Sequence, residues 1–132
     1  MIVVDTNVLA YLYLPDEYTA DAEKLLNSDS EWAAPLLWRS EFRNILTGYM
    51  RRKTLTFEQA FNIQSEAESL LSGLEFEFDS SAVLELVRDS DCLAYDCEFI
   101  ALAIKLNTQL VTIDGKLLRA FGGLAVALNT GK

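Results

Sequence analysis

The hydrophobic residues of this chain alternate between short continuous runs and stripes at helical spacing. Residues 2–4 form a wholly apolar run, which is typical of a buried strand in a parallel sheet. Residues 36–52 carry their apolar side chains on one helical face, which predicts an amphipathic helix. Thr56 and Gln59 have the spacing of a capping box and mark the start of the next helix. The pattern as a whole predicts strands at residues 2–4, 32–34, 74–78, 110–113 and 125–128, and helices at residues 6–14, 18–27, 36–52, 56–71, 80–88, 94–106 and 116–121.

Strands and helices therefore alternate along the whole chain. This alternation predicts an α/β domain with a parallel sheet covered on both faces. The sequence contains no linker, repeat or low-complexity segment, and 132 residues suit one domain, so we expect a single domain over residues 1–132. In such sheets ligands bind beyond the carboxyl ends of the strands, which is where candidate site residues are to be sought.

Composition narrows the chemistry that such a site can perform. The chain contains no histidine, which excludes Ser–His–Asp and Cys–His catalysis and histidine-ligated zinc or haem. Its formal charge of −9 makes a general positive surface for nucleic acid unexpected. Cys92 and Cys97 are too few for a zinc site or a disulfide framework, and we interpret them as free, buried thiols. No signal peptide or long apolar run is present, so we expect a cytoplasmic protein.

Two predicted strands run directly into an aspartate. Asp5 follows the first strand and Asp114 follows the strand at residues 110–113. Each has a simple structural explanation, since Asp5 can cap the next helix and Asp114 with Gly115 is a common turn dipeptide. Because parallel strands end at the same edge of a sheet, however, both carboxylates are expected to emerge together. This coincidence favours a functional site.

Two further acids occupy unusual helical positions. Glu41 falls at the border of the apolar stripe of its helix, and Asp96 begins the nearly all-apolar helix at residues 94–106. A rim position and the helix dipole explain these two acids equally well. If all four carboxylates converge, they repel one another unless a cation binds. Oxygen ligands without histidine suit Mg²⁺ or Mn²⁺, and such ions can activate water for attack on a phosphodiester.

Four segments together resemble the PIN-domain nucleases, and most closely their VapC toxin branch. The resemblance covers nearly the whole chain, in the order of that family. The D-T-N-x-L motif alone is weakly specific, whereas the four segments in order are strongly so. They are Val4-Asp5-Thr6-Asn7-Val8-Leu9, Trp38-Arg39-Ser40-Glu41-Phe42-Arg43-Asn44, Ala94-Tyr95-Asp96-Cys97-Glu98-Phe99-Ile100-Ala101-Leu102-Ala103 and Val111-Thr112-Ile113-Asp114-Gly115-Lys116-Leu117-Leu118.

The resemblance implies a three-layer α/β/α sandwich with a parallel sheet of about five strands. It also implies a ribonuclease that uses Mg²⁺ or Mn²⁺, is held inactive by an antitoxin, and commonly forms a homodimer. The metal-binding and catalytic acids of the family fall on Asp5, Glu41, Asp96 and Asp114 of this sequence. The resemblance further suggests that Thr6, Asn7 and Thr112 support the site, which we interpret as orientation of its carboxylates.

Two positions depart from the family pattern. Leu93 stands where many relatives carry Ser or Thr, which removes one hydroxyl that could tune the site. Lys116, two positions after Asp114, excludes a fifth acid there. Of the neighbouring acids, Asp91 is interpreted as a solvated loop or cap residue, and Glu98 is expected to point away from Asp96.

The basic residues bear on the expected partners, RNA and an antitoxin. Five of the 11 lie between residues 39 and 53, and by helical angle Arg52 lies on the side of Glu41. We therefore expect Arg52 to contact an RNA phosphate, although a solvated helix end explains this cation equally well. The acidity of the chain favours a basic antitoxin segment that places an Arg or Lys near the four acids.

Other classes of protein remain open from the sequence. A phosphoacceptor signalling domain also carries acids at strand ends, but its acidic pair near the first strand is missing here. A haloacid-dehalogenase-like phosphatase requires D-x-D after that strand, where Asn7 replaces the second acid. A third alternative is a PIN-like protein that binds its partner but cuts RNA weakly or not at all.

Overall fold

Five parallel strands form the central sheet of the computed structural model, which describes residues 1–129. The strand order is β3-β2-β1-β4-β5. Residues 130–132 of the predicted domain lie outside the described residues. The strands are β1 (Ile2–Val4), β2 (Trp32–Pro35), β3 (Glu75–Phe76), β4 (Leu110–Thr112) and β5 (Ala125–Ala127).

Within residues 1–129, seven helices connect the strands, and they lie close to the predicted ranges. The capping box of Thr56 and Gln59 is formed, with the Thr56 hydroxyl accepting from the Gln59 amide at 3.1 Å. The third helix begins two residues later than predicted, and β3 is shorter than the predicted strand because it pairs only with β2 at the sheet edge. The helices are α1 (Thr6–Tyr13), α2 (Thr19–Ser28), α3 (Trp38–Arg51), α4 (Phe57–Leu70), α5 (Ser80–Arg88), α6 (Ala94–Lys105) and α7 (Gly115–Ala120).

The sheet is wound in two directions from its centre. The chain moves from β1 to β2 to β3, then crosses to β4 on the other side of β1 and continues to β5. Right-handed crossovers place α1–α4 on one face and α5–α7 on the other. Packing of α1 against α2 and α3, of α3 against α4, and of α5 against α6 agrees with these two layers. The predicted three-layer α/β/α sandwich is thus confirmed, and the change of direction opens a crevice at the carboxyl ends of β1 and β4.

The apolar core lies on both faces of this sheet. Trp32, Trp38, Phe42 and Ile100 are among its largest fully buried side chains. Cys92 and Cys97 are free and buried, as predicted. The helix α6 packs against β1, β2 and β4, which explains why it is apolar on almost every side. Among residues 1–129, no helix combines the length and apolarity that crossing a bilayer needs.

Candidate active site

Asp5 and Asp114 lie together at the crevice, at the ends of two paired strands. The Asp5 amide donates to the carbonyl of Val111 at 3.1 Å, which fixes the end of β1 against β4. The buried Thr112 connects the two acids: its hydroxyl donates to Asp5 Oδ2 at 2.7 Å and accepts from the Asp114 amide at 3.0 Å. One threonine side chain therefore sets the positions of both strand-end aspartates.

Both aspartates also cap the helix that follows them. Asp5 Oδ1 accepts from the Asn7 amide at 3.2 Å at the start of α1. Asp114 Oδ1 accepts from the Lys116 amide at 2.8 Å at the start of α7. Both aspartates therefore have a structural role as helix caps. This role is compatible with a functional site, because capping holds each carboxylate in one orientation.

Glu41 reaches the site from the first turn of α3. The buried hydroxyl of Thr6, on α1, donates to Glu41 Oε1 at 2.7 Å. Glu41 is itself half-buried, in agreement with its position at the border of the apolar stripe. The hydrogen bond joins two helices of the same layer and turns the glutamate toward the strand ends.

A partly buried carboxylate on β3, that of Glu75, holds the start of α3 in place. Glu75 accepts from the Trp38 indole at 2.7 Å and from two nitrogens of the Arg39 guanidinium at 2.6 and 2.7 Å. These bonds hold the pKa of Glu75 below its ordinary value, chiefly through Arg39. Arg39 also contacts Glu68 on α4 at 3.2 Å. The first turn of α3, which carries Glu41, is thus fixed to the sheet and to α4.

Asp96 completes the group from the first turn of α6, where it is half-buried. Burial and the negative charges of Asp114 and Asp5 raise its pKa. Burial is also the main cause that raises the pKa of Asp5, with the charge of Asp114 adding to it. Because the charge of Asp114 acts on both Asp5 and Asp96, and that of Asp5 acts on Asp96, three elements bring their acids into one electrostatic cluster.

Glu41 belongs to the same cluster. Burial raises its pKa first, and the charges of Asp5 and Asp96 raise it further, against the lowering effect of the Thr6 hydroxyl. Asp5, Glu41, Asp96 and Asp114 are called the four-acid cluster below. Each of the four acids predicted from the sequence therefore interacts electrostatically with at least one other member of the cluster.

Glu98 lies near Glu41 and adds to the site an acid that the sequence did not predict there. Its charge acts on Glu41 and raises the pKa of that residue, and burial raises the pKa of Glu98 itself. The expectation that Glu98 points away from Asp96 does not separate it from the site, because Glu41 approaches from another helix. A second acid on an otherwise apolar helix was the available sequence signal.

The other predicted site residues lie in different surroundings. Asn7 is exposed and bonds Asp5 through its backbone amide. Arg52 ends α3, about 16 Å along the helix axis from Glu41, and its guanidinium lies 4.8 Å from the centre of the Tyr49 ring. The structure therefore brings Thr6 into contact with Glu41, and Thr112 into contact with Asp5 and Asp114, and leaves Arg52 three helical turns from Glu41.

The donor set of the cluster fits a hard divalent cation. It consists of carboxylate oxygens, supported by threonine hydroxyls, and contains no nitrogen or sulfur ligand. Burial is the largest cause of the raised pKa values of Asp5, Glu41 and Asp96, and the neighbouring carboxylates raise them further; a bound cation would offset both effects. Within residues 1–129, no group of three Cys, Asp or Glu side chains is close enough together to hold a metal ion as it stands. The chemistry of the residues fits Mg²⁺ or Mn²⁺, whereas the geometry requires the carboxylates to close around the ion.

The fold and the cluster define an α/β/α domain with an acidic site at the point where the sheet changes direction. Comparison with known proteins assigns the class. The family model described as PIN domain matches residues 2–122, and the chain belongs to this family.

Three similar proteins illustrate the family. Ribonuclease VapC3 of Pyrobaculum aerophilum is 29% identical over 130 residues, which cover 93% of this chain and 96% of the relative. The crystal structure of FitAcB from Neisseria gonorrhoeae superposes with a TM-score of 0.76 at 16% identity, covering 97% of this chain and 98% of that one. A toxin-antitoxin complex from Klebsiella pneumoniae gives a TM-score of 0.67 at 16% identity, with the same coverage of 97% and 98%. The two structural likenesses show the shared fold.

Proposed function

We propose that this protein is an endoribonuclease that depends on Mg²⁺ or Mn²⁺ and acts as the toxin of a toxin–antitoxin pair. The observation that carries the proposal is the convergence of four carboxylates on the strand-end crevice of a PIN domain. Similarity to Ribonuclease VapC3 over nearly the whole chain supports the reaction class. The chain contains no histidine, so acid–base chemistry must use other groups, and carboxylates are the ones that converge at this crevice.

Each residue of the site has a definable task. Asp5, Glu41, Asp96 and Asp114 would hold the ion. When bound, the ion supplies positive charge for the phosphodiester and lowers the pKa of water. Thr112 fixes the Asp5 and Asp114 ends of β1 and β4, and Thr6 fixes Glu41. These hydrogen bonds restrict the rotamers of Asp5 and Glu41, which limits the movement that the carboxylates need to close around the ion.

An antitoxin is the protein partner that we propose. The similarity to a toxin-antitoxin complex from Klebsiella pneumoniae supports a partner of this kind. The formal charge of −9 and the raised pKa values at the crevice favour a basic segment that places an Arg or Lys beside the four acids. We also propose a homodimer, and Arg52 as an RNA contact at the far end of α3. The affinity for the antitoxin should fall as salt is added, and a salt-independent affinity would contradict the electrostatic part of the proposal.

The test is RNA cleavage by Asp5→Asn and Asp96→Asn in Mn²⁺, with Glu23→Gln on the exposed face of α2 as control. Both Asn variants should lose cleavage and keep the fold, because each removes a charged ligand without altering the apolar core. A parallel thermal melt should show Mn²⁺ raising the Tm of the wild type and the control, and not that of Asp96→Asn. Cleavage at the wild-type rate by both Asn variants would refute the assignment of the site. Intact metal stabilisation without cleavage by the wild type would indicate a metal-binding, catalytically inactive relative.

A further inference from the structure

We propose that Lys116 and Arg119, on α7, form a binding site for the RNA phosphate that neighbours the one held at the four-acid cluster. The inference deepens the proposed ribonuclease function and rests on it. The problem that it solves is electrostatic: a chain of charge −9 with four converging carboxylates repels a polyanion unless fixed cations stand nearby.

The geometry begins with a cavity of about 390 Å³ beside the cluster. The loop at residues 89–92 forms one wall, and Lys116, Arg119 and Ala120 form the other. That loop leads into α6 and hence to Asp96, whereas Lys116 is two residues from Asp114. The walls of the cavity are therefore formed by residues that precede Asp96 and follow Asp114 by a few positions in the chain.

Gly115 leaves room for the Arg119 side chain at the first turn of α7. The Arg119 Nη1 lies 2.9 Å from the point that a Cβ on Gly115 would occupy. The guanidinium thus folds back along α7 toward its first residue, which follows Asp114 directly. A glycine here leaves room for a side chain that would otherwise be displaced.

Both cations are free to bind an anion. The ion pairs within residues 1–129 engage Arg39, Arg88 and the chain terminus, and none involves Lys116 or Arg119. Arg52 and Lys105 instead lie over aromatic rings. Lys116 is also the basic residue whose charge lowers the pKa of Asp96, which places its ammonium near the cluster.

Two acids, Asp89 and Asp91, line the cavity together with the two cations. Asp89 is already paired with Arg88 at 2.9 and 3.1 Å, and Asp91 is exposed on the same loop. Lys116 and Arg119 therefore keep their charges available for an anion, with one exposed acid opposite them. We expect an RNA with one phosphate at the ion to place the next phosphate at these two cations.

The experiment measures RNA binding without cleavage. Asp5→Asn serves as the background, and fluorescence anisotropy follows a labelled single-stranded RNA of mixed sequence in Mg²⁺ over a range of salt concentrations. Lys116→Gln and Arg119→Gln should each weaken binding roughly three- to tenfold and reduce the slope of log affinity against log salt by about 0.7. Lys24→Gln is the matched control, because Lys24 is exposed on α2 and does not line the cavity.

Unchanged affinity and slope in Lys116→Gln and Arg119→Gln would overturn the inference. Equal weakening by Lys24→Gln would also overturn it, because the effect would then belong to the overall charge. Tighter binding of a polyglutamate peptide of equal charge than of the RNA, weakened in both Gln variants, would instead indicate a site for an acidic protein segment and would reject the RNA assignment. Failure of the proposed ribonuclease function is distinguishable, because the wild type would then not cut the RNA while these binding differences persisted.

Discussion

The Thr112 hydroxyl donates a 2.7 Å hydrogen bond to Asp5 Oδ2 across the paired ends of β4 and β1. Thr112 is fully buried and follows Leu110 and Val111 in an otherwise apolar strand. A buried hydroxyl costs free energy unless it is bonded, and here it is bonded twice, as donor to Asp5 and as acceptor from the Asp114 amide. The hydroxyl thus stabilises the positions of the two carboxylates and also satisfies its own hydrogen bonds.

Thr112→Val should therefore keep the fold and weaken the site. Valine fills a similar volume but leaves Asp5 Oδ2 without its donor, which lets the carboxylate turn and costs about 1–3 kcal/mol of stability. We expect Mn²⁺ affinity, measured from the metal dependence of Tm, to fall roughly 10- to 100-fold. Thr112→Ser, which keeps the hydroxyl, should bind Mn²⁺ nearly as the wild type does. Equal losses in both variants would mean that packing, and not the hydrogen bond, is responsible.

Thr6→Val tests the corresponding contact on the helical side of the site. It removes the 2.7 Å bond to Glu41 Oε1, and the Thr6 hydroxyl lowers the pKa of Glu41 in the wild type. The pKa of Glu41 should therefore rise further in the variant, and cleavage should require a higher pH. The measurement is the pH profile of RNA cleavage, with Thr6→Ser as control. A profile that does not move would show that this bond has no influence on the ionisation of Glu41.

Glu75→Gln should destabilise the protein although Glu75 lies outside the four-acid cluster. Its side chain is 14% exposed and accepts from both Trp38 and Arg39, so the loss of charge is expected to cost about 1–3 kcal/mol of unfolding free energy. Asp89→Asn is the control, because the Arg88–Asp89 pair is exposed to solvent, which screens it, and should contribute much less. Urea unfolding of both variants gives the comparison, and equal losses would contradict a special role for Glu75.

The metal-free protein should become more stable as the pH falls through the folded-state pKa values of the cluster, which lie above the ordinary values. Asp5, Glu41 and Asp96 have raised pKa values in the folded state, so the folded protein binds more protons than the unfolded chain above the ordinary values of 3.8 and 4.5. Stability from these groups is thus lost as pH rises through the folded-state pKa values. Glu75 acts oppositely, since its pKa is lowered and its contribution is lost as pH falls below 4.5.

The measurement is the Tm in EDTA between about pH 4 and pH 8. We expect a maximum on the acidic side of neutrality, and a flatter rise toward it in Asp96→Asn. Saturating Mn²⁺ should reverse the trend, because binding requires ionised carboxylates. A metal-free Tm that increases steadily with pH would contradict the repulsion inferred at the cluster.

Much of this architecture follows from local sequence patterns. The run at residues 2–4, the capping box of Thr56 and Gln59, and the apolar helix at residues 94–106 each predict an element that the structure contains. These signals are reliable because burial of side chains and hydrogen bonding of backbone amides are both decided within a few residues. The short edge strand β3 is less predictable, because its length depends on a single neighbouring strand.

The site likewise contains residues that the sequence predicts and residues that it does not. Asp5 and Asp114 could be predicted to meet, because each ends a strand and parallel strands end at one edge. Glu98 was missed, because the residue that it affects lies on a different helix and helical angles describe only one helix at a time. The pairing of Arg39 with Glu75 and Glu68 was likewise outside the reach of the sequence, since it joins three separate elements.

The sequence by itself thus determined the order of strands and helices, the histidine-free acidic chemistry, and the four carboxylates that the resemblance to PIN domains identified. Only the tertiary structure decided that Thr112 bonds Asp5, that Thr6 bonds Glu41, and that Lys116 and Arg119 line a cavity beside the acids. The physical reason is the separation along the chain over which each kind of interaction acts. Periodicity and capping act between residues a few positions apart, whereas hydrogen bonds and charges in a folded site join residues up to 107 positions apart, such as Asp5 and Thr112.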